Sequence, residues 1–151
     1  MLNIAKLISS FIKNFIKIIF YRKNYMLMRI NGNSMEPNFH ESELYLVNKK
    51  IEHTTLRRFQ VIILFCHIHS KYHIKRILGI PNDIIKLDKE HLFLNGKKIR
   101  KVSNPQKIKF IYELDNKCFF ITSDNQLLFG KSCDSIKNGP INERDITGII
   151  I

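Results

Sequence analysis

Acidic residues are scarce in this chain. Asp and Glu number 13 against 25 Lys and Arg, which leaves a formal net charge of +12. That imbalance favours anionic partners, either nucleic acid or lipid headgroups. Residues 1–35 contain no acid at all, yet they hold Lys6, Lys13, Lys17, Arg22, Lys23 and Arg29, half of the net charge. The remaining excess is spread over the body without a dense run. A nucleic-acid module would gather base on one face with aromatics interleaved, so nucleic acid is not an expected partner. Cysteine is also sparse. Cys66, Cys118 and Cys133 are odd in number and lack metal-type spacing, which argues against a disulfide framework and predicts buried thiols. A clean apolar run is missing too: a membrane-spanning helix needs about 20 mainly apolar residues. Lysines interrupt the N-terminal segment every four to seven positions. Internal repeats and low-complexity tracts are absent.

What is present fits one domain of 151 residues with an ordinary hydrophobic fraction of 44%. Ile4, Ile8, Phe11, Phe15 and Ile19 recur at helical spacing, with Lys6, Ser10, Lys13 and Lys17 opposite them. This predicts an amphipathic helix over 1–21, inside a segment 1–25 that either lies in a membrane interface or serves as a basic, acid-free targeting sequence. The body, 26–151, reads as short strands: 26–31, 43–48, 59–66, a strand carrying Lys75 after a turn near Ser70-Lys71, 84–88, 91–94, 97–102, 118–123 and 146–151. Asn95-Gly96 is a hairpin turn signal, and 102–109 reads as a polar connection around Pro105. Strands of this kind with Gly, Asn and Pro turns predict a mainly β body of Greek-key or barrel-like type. His67, His69 and His73 lie near Cys66, but zinc sites usually show paired short spacings in two places. One cluster alone predicts exposed or partly packed hairpin histidines and no metal.

The chemistry gathers around Gly32-Asn33-Ser34-Met35-Glu36-Pro37. Gly32 can take positive φ and Pro37 fixes its own φ, which suits a tight loop that holds a serine out. Two later stretches carry related punctuation. They are Lys75-Arg76-Ile77-Leu78-Gly79-Ile80-Pro81-Asn82-Asp83, and Ser123-Asp124-Asn125 followed by Ser132-Cys133-Asp134-Ser135 and Gly139-Pro140-Ile141. In this order the three segments resemble the SMxP, KRxxGxPGD and GDN…SxDS…GP boxes of the type I signal peptidase family of Ser/Lys proteases, which includes mitochondrial inner-membrane processing peptidases. The resemblance covers roughly 30–148. It departs from the pattern at Ser123 and Asn82, which stand where the family has glycine, and at Ile136, which stands where it has arginine. Three extra residues also separate Asn125 from Ser132.

A serine hydroxyl needs a base, and lysine can be that base only when its amine is neutral near pH 7. Free lysine titrates near 10.4, so burial has to lower it by roughly 2–4 units. On a strand, Ile77 shares a face with Lys75 and offers an apolar wall. The resemblance implies Ser34 as nucleophile, Lys75 as general base, Ser132 as the serine that orients the lysine, and Asp134 as a brace. It implies Asp124 and Asn125 as scaffold, and Met35 and Pro37 at the substrate side. The Ser34 N–H is the first candidate oxyanion donor. Some family members place a serine hydroxyl where Gly32 stands here, so a second donor would come from backbone. The implied activity is a membrane-associated serine endopeptidase, without a cofactor, that removes N-terminal targeting peptides from preproteins. It would work at the bacterial cytoplasmic membrane or the mitochondrial inner membrane. A partner subunit is not specified. Two other functions compete. One is a self-cleaving repressor of the related Ser/Lys fold, which would need room for a helix-turn-helix before residue 26. The other is an inactive basic module that binds lipid or nucleic acid.

Overall fold

The computed structural model describes residues 23–52, 55–102, 109–128 and 131–151, together with Ile8, Ser9, Ile12, Lys13, Phe15, Ile16 and Ile19. Those N-terminal positions are helical and exposed; the remainder of the helix expected over 1–21 lies outside the described residues, as does most of the connection expected over 102–109.

The body is built from antiparallel strands. They are β1 (Tyr25–Arg29), β2 (Leu44–Asn48), β3 (Val61–Cys66), β4 (Lys71–Gly79), β5 (Ile84–Asp88), β6 (His91–Leu94), β7 (Lys97–Lys101), β8 (Phe110–Glu113), β9 (Cys118–Thr122), β10 (Ile141–Asn142) and β11 (Ile146–Ile150). Seven form one sheet in the order β1-β2-β11-β3-β4-β9-β10, and four form a second in the order β7-β6-β5-β8. The expected mainly β body is therefore present, and most strands fall within two or three residues of their expected positions.

Local chemistry accounts for the pieces. In β5, buried Ile85 and Leu87 alternate with exposed Ile84 and Lys86, the pattern of a strand with one wet face. Asn95 and Gly96 take φ of 50° and 79°, the two left-handed positions that a tight β6–β7 hairpin turn requires. β3 is apolar throughout because it lies between β11 and β4 in the sheet interior.

The long strand β4 and its neighbour β9 hold the molecule together by using both faces. Ile77, Phe119 and Ile121 join a core with Leu56, Ile62, Leu64 and Ile146. Leu78 and Phe120 point the other way, into a core with Ile85, Leu87, Leu92, Val102, Leu114 and Ile136. β4 reaches this second core through a bulge between Ile77 and Gly79. A Cβ on Gly79 would stand 2.8 Å from Leu114 Cδ1 and 2.9 Å from Ile85 Cδ1, so the close approach needs glycine.

Beyond β4 the chain turns on Asn82, with φ of 69°. Asp83, only 2% exposed, accepts two hydrogen bonds from Arg58, one from the Ile80 N–H and one from Asn95 Nδ2. Burial pushes its carboxyl up, but the Arg58, Ile80 and Asn95 donors outweigh that and hold it below the usual range. One expectation fails here. Cys66 and Cys133, read from the sequence as separate thiols, are joined sulfur to sulfur across 67 positions, while Cys118 is free. Nothing in their sequence spacing signals this pairing, because only the β-sheet topology brings the 131–134 loop onto the end of β3.

Candidate active site

The loop between β1 and β2 carries the nucleophile candidate. Gly32 opens it with φ of 93°, and hydrogen bonds from the Glu36, Asn38 and Phe39 N–H groups to the Asn33 and Met35 carbonyls wind residues 33–39 into consecutive turns. Met35 is the loop's plug into the core, at 1% exposure. Ser34, one residue earlier, is thereby turned toward β4. The loop is also tied from the far side of the sheet. The Asn125 N–H donates to the Ser34 carbonyl at 3.0 Å, and Asn125 Nδ2 donates to the Asn33 carbonyl at 3.0 Å.

Lys75 sits in the middle of β4, opposite Ile62 of β3, and is 1% exposed. Its Nζ donates to Ser34 Oγ at 3.0 Å and to the carbonyl of Ile74 at 2.8 Å. Burial strips the ammonium of hydration and lowers its pKa to about 8; the carboxylates of Asp134 and Asp124 pull in the opposite direction without restoring the usual value. A neutral amine within hydrogen-bond reach of a hydroxyl is what a serine nucleophile needs from its base.

His73 lies two positions before Lys75 on the same face. Burial, and then the charges of Lys75, His69 and Lys71, keep its imidazole below the ordinary value. Among the described residues it makes no hydrogen bond to Ser34, so the hydroxyl faces an amine and not an imidazole.

The expected support is arranged differently from the expectation. Ser132 does not bond Lys75 among the described residues. Its hydroxyl meets Ser123 Oγ at 2.6 Å and donates to Asp134 Oδ2 at 3.2 Å. Asp134, 1% exposed, caps the one-turn helix Ser135–Asn138 by accepting from the Ile136 and Lys137 N–H groups. Asp124 forms a two-pronged ion pair with Arg76 and accepts from Asn38 Nδ2 at 2.9 Å, which joins β4 to the nucleophile loop. The sequence reading left Arg76 and Asn38 without a role, although Arg76 stands directly after Lys75.

Gly32 cannot lend its N–H to an oxyanion, because that group already donates to Glu41 Oε1 at 2.9 Å. The Ser34 N–H has no acceptor among the described residues and so remains a donor candidate. A cavity of about 260 Å³ opens beside Ser34, lined by Met28, Ile30, Met35, Tyr72, His73 and Ile74 among others. Met35 thus borders the space a substrate side chain would use, whereas Pro37 is exposed and outside it.

Three comparisons bear on this arrangement. The family model for "Signal peptidase, peptidase S26" matches residues 4–151. The chain is 31% identical over 140 residues to signal peptidase I V of Bacillus subtilis (strain 168), covering 81% of each chain. It is 29% identical over 147 residues to signal peptidase I U of the same strain, covering 88% of this chain and 75% of that one. A crystal structure of a signal peptidase I from Enterococcus faecalis V583 superposes with a TM-score of 0.50 at 18% identity, over 64% of this chain and 97% of the other. That last likeness concerns the fold.

Proposed function

The chain belongs to the signal peptidase family, peptidase S26, and is a serine endopeptidase; from that premise we propose that it removes N-terminal signal peptides from preproteins with Ser34 as nucleophile and Lys75 as general base. The observation that carries the assignment is the 3.0 Å contact between Ser34 Oγ and the amine of Lys75, a residue only 1% exposed.

The steps follow from that contact. The neutral Lys75 amine takes the hydroxyl proton as Ser34 Oγ attacks the scissile carbonyl. Negative charge develops on the carbonyl oxygen, where the Ser34 N–H is the nearest candidate donor. The Lys75 ammonium then returns the proton to the leaving amine, and an acyl-Ser34 ester remains. Lys75, neutral again, takes a proton from a water that attacks the ester, and its ammonium returns that proton to the departing Ser34 Oγ. Two features favour an extended peptide substrate. Among the described residues β1 is an edge strand of its sheet, where an extended peptide could add a strand. The adjoining cavity, walled by Met28, Ile30, Met35 and Ile74, suits a small apolar side chain just before the cut.

We place the reaction at a membrane surface, on the strength of the basic, acid-free N-terminal segment and its apolar spacing. Among the described residues, no helix is long and apolar enough to cross a membrane.

Cleavage of a purified preprotein tests the dyad. Ser34→Ala and Lys75→Met are each expected to lower the rate by at least about 10³-fold, as removal of a member of a catalytic unit commonly does. Normal turnover by Lys75→Met would remove lysine from the mechanism.

A further inference from the structure

The β3–β4 hairpin presents a second cluster of reactive side chains on the face that carries Lys75. In the strand register Cys66 stands opposite Lys71 and Leu64 opposite His73, so Cys66 and His73 point to the same side. His69 in the connecting turn brings Nδ1 to 3.3 Å from Cys66 Sγ, and its ring lies 5.8 Å from that of His73. Cys133 arrives from the 131–134 loop. One ligand-type atom from each of Cys66, His69, His73 and Cys133 falls within 4.8 Å of all the others.

We propose that, with its thiols reduced, the protein binds one thiophilic divalent cation of the zinc type through Cys66, His69, His73 and Cys133. The donor set is the Cys₂His₂ set of closed structural zinc sites. With metal–sulfur bonds near 2.3 Å and metal–nitrogen bonds near 2.0–2.1 Å, tetrahedral ligand atoms stand roughly 3.3–3.8 Å apart, a spread that small side-chain rotations reach from the one seen here. Two thiolates and two neutral imidazoles balance a +2 ion, so the filled site adds no net charge beside the buried Lys75.

Two independent details favour a metal over a plain disulfide. The Cα atoms of Cys66 and Cys133 are 7.2 Å apart, beyond the span disulfides usually bridge, whereas a shared ion adds length between the sulfurs. His73 Nε2 is buried with no hydrogen-bond partner among the described residues, which is costly for a ring nitrogen unless something binds that imidazole. The sequence spacing hid the site because Cys133 lies 60 positions beyond His73 and only the fold brings it close.

The two states exchange simply. A thiol reductant supplies two electrons and two protons to the disulfide and is itself oxidised to a disulfide. The two protein thiols then release their protons as they take up the cation. With all four positions filled by protein, the ion would leave no place for substrate, so its role is structural. It would fasten the loop bearing Ser132 and Asp134 to the hairpin that leads into Lys75.

Full-length protein purified in thiol reductant and titrated with Co²⁺ or Zn²⁺ gives the test. One equivalent of Co²⁺ is expected to bind with the visible absorption of a tetrahedral thiolate complex. One equivalent of Zn²⁺ is expected to raise Tm by several degrees and to protect two of the three thiols from alkylation. Cys133→Ser, and separately the exposed His69→Ala, which spares the core, are expected to weaken binding at least tenfold; Cys118→Ser is not. Unchanged binding in both ligand variants would overturn the proposal, as would no binding by the reduced parent, or a Cys66–Cys133 disulfide that thiol reductants fail to open. These readouts do not depend on cleavage, so a failed dyad and a failed metal site are separately visible.

Discussion

The proposed role of Lys75 as base needs a neutral amine, and the burial that favours it comes at a cost. In the unfolded chain Lys75 titrates near the ordinary lysine value of 10.5; in the folded protein burial lowers it to about 8. Between these values the unfolded state holds a proton that the native state does not, so stability rises with pH through that window and the full penalty applies below about 8. A difference of about 2.5 units corresponds to roughly 3 kcal/mol. Lys75→Met is therefore expected to be more stable than the parent in urea at pH 6.5, with the advantage shrinking toward pH 10. Activity runs with the same proton. Only the unprotonated amine accepts from Ser34, so the single-turnover cleavage rate should climb tenfold per pH unit below about 8 and level off above it. A rate independent of pH between 6 and 8 would mean that the amine is not the base. Burial of this lysine was foreseeable from Ile77 on its strand face; its pairing with Ser34, 41 positions away, was implied only by the resemblance, and the fold supplies the 3.0 Å contact.

At the scale of elements, the site is a loop pinned onto a strand by another loop. Asp124 holds Arg76 of β4 and Asn38 of the nucleophile loop, and Asn125 holds the Ser34 and Asn33 carbonyls. Asn125→Ala would remove the side-chain tie to Asn33, an exposed hydrogen bond with little core behind it. The fold is expected to survive with a change in stability of about 1 kcal/mol. The dyad geometry should loosen, so kcat should fall by roughly tenfold or more while KM changes little, because misplacing a nucleophile by an ångström is costly. A KM effect alone would place Asn125 in substrate binding instead. The strands were legible from the same kind of local signal that makes Asn95-Gly96 a turn and the alternation in Ile84–Asp88 a half-buried strand. β8 (Phe110–Glu113) was missed because it follows directly on the stretch read as a polar connection around Pro105, and β10 because its two residues pair only through β9. The helix Ser135–Asn138 hid within the third box: its N-cap, Asp134, had been read only as a brace for the site. The role of Ser132 was misread for a related reason. A matching motif gives residue type and order, but the partner of a hydroxyl depends on distances of a few tenths of an ångström, and here Ser123 takes the place where the family has glycine.

For the whole molecule, the proposed membrane setting rests on how the charge is divided along the chain. The net charge of +12 is divided evenly between residues 1–35 and everything after them. Residues 1–21 combine Lys6, Lys13 and Lys17 with Ile4, Ile8, Phe11, Phe15 and Ile19 at helical spacing. Each basic residue near an anionic surface is worth about 1 kcal/mol, an attraction that salt weakens, whereas burial of the apolar side chains among lipid tails is nearly insensitive to salt. The two contributions can thus be separated. The full chain is expected to co-sediment with vesicles containing anionic lipid, to lose part of that binding between 0.1 and 0.5 M NaCl, and to bind zwitterionic vesicles weakly. Deletion of residues 1–21 should abolish co-sedimentation in low salt, yet leave cleavage of a short soluble peptide intact, since Ser34, Lys75 and their supports all lie beyond residue 30. Equal sedimentation of the truncated chain would move the membrane contact to the β body, where Leu27 of β1 and Leu44 of β2 are exposed.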